Sequence, residues 1–159
     1  MRLTKKAAIV LLVPFLFSAP KVTTVSFEQL QQQAANKHND TLYVVNFWAT
    51  WCDPCVKELP DFQQAYQNFK SKKVKFVFVS LNSPKELDKV QHFAADKQLV
   101  PEVLLLNGGN PNSWIDRIDS SWSGAIPATV IYKDGKKVYF HEGELALDKL
   151  TQVIKSKNK

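Results

Sequence analysis

Cysteine is almost missing from this chain: two residues in 159, Cys52 and Cys55, with Asp53 and Pro54 between them. Two thiols so close together cannot staple a scaffold, and a chain of roughly 100–200 residues buries an adequate single core without staples. Zinc falls by a similar count. Its structural sites take four ligands, usually as two pairs. There is no second cysteine pair, and His38, His92 and His141 are scattered, reading as surface or hydrogen-bonded loop residues. A c-type haem would need histidine directly after Cys55, where Val56 stands. No apolar run reaches the ~20 residues of a spanning helix. Basic and aromatic residues are not interleaved, which removes the pattern of a nucleic-acid binder. No internal repeat occurs, and no linker divides the chain.

Acidic residues are absent before Glu28. Arg2, Lys5 and Lys6 are three of the 21 basic residues, so without that segment the formal charge falls from +6 to +3. Much of the remainder lies in "KSKK" at 70–73 and "KSKNK" at 155–159, which read as solvated ends. "MRLTKK" followed by the short apolar "AAIVLLVPFLF" at 7–17 reads as a secretory signal over residues 1–19, leaving 20–159 as one domain. Large Phe17 and the following Pro20 suit cleavage after Ala19 poorly, so an uncleaved membrane anchor stays open. No cysteine stands near the segment, which excludes a lipid anchor. The expected location is outside the cytoplasm, in a periplasm or its equivalent.

What is present is ordinary globular material, 45% hydrophobic and 23% charged, too apolar for disorder. "SFEQ" at 26–29 is a capping box, and Phe27, Leu30, Ala34 and Ala35 carry a helix to about His38. "TLYVVNFW" at 41–48 and "KVKFVFVSL" at 73–81 read as strands buried on both faces. Between them, Val56, Leu59, Phe62, Tyr66 and Phe69 form one helical stripe that Pro60 should kink. "SPKE" at 83–86 opens a helix through Leu87, Val90, Phe93 and Ala94. "VLLL" at 103–106 is a third strand, and "NSWIDRI" a short helix. "ATVIY" at 128–132, a Lys-Asp-Gly-Lys turn and "KVYF" at 137–140 make a hairpin, and a last helix carries Leu147, Leu150, Val153 and Ile154. The alternation predicts an α/β sheet covered on both faces.

With zinc and haem removed, Cys-x-x-Cys at a strand-to-helix junction reads as a redox pair. Cys52 falls at the amino end of a helix starting near Asp53-Pro54, where unpaired N–H groups and the helix dipole favour an anion. Lowering a thiol from ~8.5 to ~7 takes about 2 kcal/mol and makes half of it nucleophilic at neutral pH. Cys55, one turn further in, is the shielded partner that attacks second. The Asp53 carboxylate disfavours the Cys52 thiolate, which biases the pair towards giving electrons away.

"NFWATWCDPC" resembles the active-site stretch of the thioredoxin superfamily, and "GAIPATVIYKDGK" resembles its cis-proline loop and hairpin. The nearer resemblance is to the exported, TlpA-like thiol–disulfide oxidoreductases, over roughly residues 26–156. It implies a thioredoxin-like fold: a mixed central sheet with helices on both faces, and an inserted segment between the second strand and the cis-proline loop. It also implies that Trp51 covers the disulfide, that Pro127 is cis, and that Trp51, Pro54, Ile126 and Pro127 meet the substrate. Proline lacks an N–H, while Ile126 keeps both backbone groups for an extended chain. Cytosolic thioredoxins carry a buried Asp where this chain has Asn46. Glu58, one turn beyond Cys55, is the substitute proton acceptor, matched by Glu in the exported group. Trp114 and Trp122 either plug the core beneath the insert or, for Trp122 with Ser123-Gly124, line a docking groove.

The function expected is thiol–disulfide exchange with other proteins outside the cytoplasm, in the reducing direction. It needs no metal or organic cofactor beyond the Cys52–Cys55 pair. The implied partners are a disulfide-bearing client and a membrane-borne dithiol electron donor. The alternatives are a disulfide oxidase or isomerase, and a peptide-binding module whose disulfide is structural.

Overall fold

The computed structural model describes residues 20–158. The leader assigned to residues 1–19 lies outside them. Among the described residues no helix is long and apolar enough to cross a membrane.

One six-stranded sheet organises the chain. Its strands are β1 (Val22–Val25), β2 (Leu42–Trp48), β3 (Val74–Ser80), β4 (Glu102–Leu106), β5 (Ala128–Lys133) and β6 (Lys136–Glu142). The order across the sheet is β1-β4-β3-β2-β5-β6. The first four strands are mutually parallel, β5 runs antiparallel to β2, and β6 runs antiparallel to β5. The helices are α1 (Phe27–Leu30), α2 (Asp53–Phe69), α3 (Leu87–Asp96), α4 (Ile115–Ile118) and α5 (Leu147–Lys157).

The apolar runs without alternation are explained by burial on both sides. One face of β2 carries Leu42, Val44 and Trp48 and packs with Leu59 and Phe62 of α2, Val90 of α3 and Leu150 of α5. The other carries Tyr43, Val45 and Phe47 and packs with Phe27, Leu30, Trp114 and Ile118. Asn46 belongs to the α2 side by the same period of two.

The local signals for helix starts hold. Ser26 and Gln29 form a reciprocal capping box, as do Ser83 and Glu86, the latter opening a short 3₁₀ turn before α3. After α1 the chain widens into a π-helical turn, Gln31–Ala35, and ends there rather than near His38. α2 passes through Pro60 as a single helix. Pro60 is exposed, so the Val56 carbonyl that loses a partner lies on the wet side. Asp134 and Gly135 take φ of 49° and 72°, a two-residue turn with both central residues left-handed, which suits the twist of the hairpin.

β1 is absent from the sequence reading. Its "VTTV" buries only the two end valines and shows no alternation. It becomes a strand by pairing with β4, Val22 opposite Val103 to Val25 opposite Leu106, and the Val22 N–H donates to Gln91 Oε1 at 2.8 Å.

Candidate active site

The carboxyl end of β2 delivers the chain into a short turn, Ala49–Trp51, and then into α2. Cys52 is the N-cap of α2, with extended dihedrals (φ −97°, ψ 98°), and Asp53 and Pro54 are its first two helical residues. Proline suits this place because the early N–H groups of a helix have no partner within it. The Cys52 carbonyl accepts the first helical bond, from the Val56 N–H at 3.0 Å. Cys52 and Cys55 form a disulfide with Cα atoms 5.3 Å apart. Cys55 is fully buried, whereas Cys52 keeps 6% of its surface. Cys52 therefore lies nearer the surface than Cys55. Trp51 is 60% exposed and presents apolar surface next to Cys52. Pro54 is exposed on the first turn.

The Ile126–Pro127 peptide bond is cis. It lies just before β5, the antiparallel neighbour of β2, and this adjacency brings the loop to the disulfide. Cys52 Sγ lies 3.7 Å from the Ile126 carbonyl oxygen. Residues 74 positions apart thus share one small surface with Trp51.

Beneath it lies a polar cluster in an otherwise apolar interior. Glu58 is 4% exposed. Its Oε1 accepts from Asn46 Nδ2 at 2.8 Å and its Oε2 from the Leu145 N–H at 2.8 Å. Asn46 Nδ2 also donates to Thr129 Oγ1 at 3.2 Å, across the register pair Asn46–Thr129. Burial pushes the Glu58 carboxyl up to about 7, opposed by the Leu145 and Asn46 hydrogen bonds and assisted by the charges of Glu144 and Asp61. Cys55 and Glu58 are one turn apart on α2 and both buried. A carboxyl near neutrality at that place can take up or release a proton in the working pH range.

Asn82 was not picked out in the sequence. It is 2% exposed at the end of β3. Its Oδ1 accepts from the Thr50 N–H and from Ser80 Oγ, both at 2.9 Å, and its Nδ2 donates to Thr50 Oγ1 at 2.8 Å. It therefore ties the turn that carries Trp51 and Cys52 to the neighbouring strand. Asn82→Ala leaves the Thr50 N–H unpaired and is expected to cost about 2–3 kcal/mol, read from the urea midpoint.

The two tryptophans are core residues, each 4% exposed. Trp122 lies 5.0 Å from Phe47 and 5.7 Å from Trp114, ring centre to ring centre. A surface cleft of about 280 Å³ is lined by Trp114, Ile115 and Gly124, and Trp122 is not on it. Among the described residues no group of three or more His, Cys, Asp or Glu is placed to hold a metal ion.

A sequence model of the AhpC/TSA family matches residues 17–141. The chain is similar to the thiol-disulfide oxidoreductase ResA of Oceanobacillus iheyensis, 34% identical over 108 residues, which are 67% of this chain and 52% of that protein. It spans 52% of that relative and 60% of the ResA of Bacillus thuringiensis. Among solved structures, StoA from Bacillus subtilis is 26% identical with a TM-score of 0.58, covering 72% of this chain and 83% of that one. A DsbF homologue from Corynebacterium diphtheriae gives a TM-score of 0.63 at 20% identity over 75% of this chain and 73% of the other. These likenesses agree on a thioredoxin-like fold.

Proposed function

The chain belongs to the AhpC/TSA family, and from that membership and the Cys52–Cys55 pair we propose that it is a thiol–disulfide oxidoreductase reducing disulfides of other proteins outside the cytoplasm. The observation that carries the reading is an outer sulfur at the amino end of α2, touching the Ile126 carbonyl, with its partner buried one turn below.

The reduced pair acts in two displacements. The Cys52 thiolate attacks a client disulfide, forming a Cys52–client bond and releasing one client thiolate. Cys55 gives its proton to Glu58, and its thiolate attacks Cys52 Sγ, closing the intramolecular disulfide and releasing the second client thiolate. Two electrons pass to the client, and a dithiol carrier must restore them. An exported protein cannot reach a cytosolic reductase, so the donor is membrane-borne. Ile126 and Pro127 receive the client backbone, and Trp51 and Pro54 border it. The basic leader and its apolar stretch support export.

Direction is tested by redox equilibrium. With Asp53 opposing the Cys52 thiolate, the expected potential lies near or below about −220 mV, the reducing part of the known range. Equilibration against glutathione and dithiothreitol, followed by thiol alkylation and mass measurement, gives the value. A result near about −120 mV would make the protein an oxidant and reject the direction. Failure of the reduced protein to exchange with any disulfide would leave the peptide-binding alternative.

A further inference from the structure

In the loop before β5, the backbone groups of Ala125 and Pro127 are already engaged. The Trp122 indole N–H donates to the Ala125 carbonyl at 2.8 Å. The Gly143 N–H donates to the Pro127 carbonyl at 2.8 Å. Ser123 donates twice to Glu142, from its N–H and from its hydroxyl, each at 2.7 Å. The Ala125 N–H donates to the Ser123 hydroxyl at 3.3 Å. Pro127 has no N–H to offer. Within 125–127 this leaves Ile126 alone. Its carbonyl faces Cys52 Sγ, and its N–H donates to no group among the described residues.

The restraint on Ala125 is rigid because its donor is. Trp122 is wedged among Phe47, Trp114 and Phe140, with ring centres 5.0–6.0 Å away, so the indole N–H cannot follow a wandering carbonyl. An indole has one donor and no acceptor, so its single hydrogen bond is spent on the Ala125 carbonyl. The Glu142 carboxylate fixes the other end of the loop from the last residue of β6 with charge-assisted bonds.

We propose that Trp122 and Glu142 are positioning residues that confine backbone pairing at this site to Ile126, so that an extended, disulfide-bearing peptide is taken in a single register. The inference rests on the exchange activity proposed above and adds the reason for selectivity. A client strand that gives one N–H and one carbonyl to Ile126 has its cysteine placed against Cys52. A strand slipped along the loop meets Ala125 or Pro127, whose carbonyls each already hold one donor and which have no free N–H to give, Ala125's being bonded to Ser123 and Pro127 having none. A small disulfide with no peptide backbone gains nothing from this arrangement.

The test is single-turnover reduction by the reduced full chain of two substrates, two short peptides joined by one central disulfide and hydroxyethyl disulfide. The variants are W122F, which keeps a ring in the cluster without the N–H, and E142A, a surface change that reports even where W122F does not fold. In each, the peptide-to-small-disulfide ratio of rate constants is expected to fall at least about fivefold, the worth of one ordinary hydrogen bond. The fall should come through weaker half-saturation by the peptide rather than a slower maximal rate. N-methylation of the client amide next to its cysteine should lower the wild-type ratio as much, and lower it no further in W122F. A ratio within twofold of wild type in every folded variant overturns the register assignment alone. A wild-type protein inert to both substrates overturns the exchange reading and this inference with it.

Discussion

Cys55→Ser is expected to stop the reaction halfway, with Cys52 bonded to the client and close to one adduct per chain. Attack needs only the outer sulfur, which keeps its place at the start of α2 and its residual exposure. Release needs the inner one, and a serine hydroxyl at that buried position is no nucleophile towards a disulfide at neutral pH. Turnover should fall by about a thousandfold or more, as happens when one member of a catalytic unit is removed. Cys52→Ser should lose turnover equally and form no adduct. Non-reducing electrophoresis and intact mass separate the two variants. An adduct on Cys55 in the Cys52→Ser protein, or none in the Cys55→Ser protein, would reverse or reject the assigned order of attack.

Glu58→Gln is expected to change both stability and chemistry with pH. The Glu58 carboxyl is raised from its ordinary 4.5 to about 7, chiefly because burial penalises the charged form. Between those values the folded chain keeps a proton that the unfolded chain has released. The stabilisation is therefore complete below the unfolded value and is lost as pH rises through the folded one. That difference corresponds to about 3 kcal/mol. The urea midpoint of the wild type should fall relative to that of Glu58→Gln between about pH 4.5 and 7. The absolute stability of the variant is a separate matter, since a Gln amide cannot accept from both Asn46 and Leu145 without presenting a donor to one of them. In the reaction, loss of the proton acceptor should slow closure of the Cys52–Cys55 disulfide by on the order of 10²-fold near neutral pH. The remaining rate should follow the ionisation of Cys55 itself. An unchanged closure rate and pH profile would reduce Glu58 to a structural carboxyl.

The buried cluster around Glu58 also accounts for Asn46. At this position an aspartate would bring a second carboxyl within hydrogen-bonding reach of the first, and like charges at that distance cannot both ionise readily. Asn46 instead supplies a donor to Glu58 and a second to Thr129. One ionisable group is thus kept in the interior where two would compete for a single proton.

Short-range patterns carried much of this protein. The capping residues Ser26 and Ser83, the Asp134-Gly135 turn, the doubly buried runs of β2 and β3, and the two cysteines at the start of α2 were legible because each signal spans a few neighbouring residues. Caps, turns and hydrophobic periods act through the backbone close to where they are written. Tertiary structure alone decided the rest. "VTTV" becomes β1 only against β4, some 80 positions on in the chain. Thr129 reaches Asn46 through the β2–β5 register, Asn82 grips Thr50 from the next strand, and Trp122 holds Ala125 because the aromatic cluster fixes its ring. These contacts depend on which strands become neighbours and in what alignment. That is settled by burying both faces of the sheet at once, a property of the whole chain that no short stretch displays.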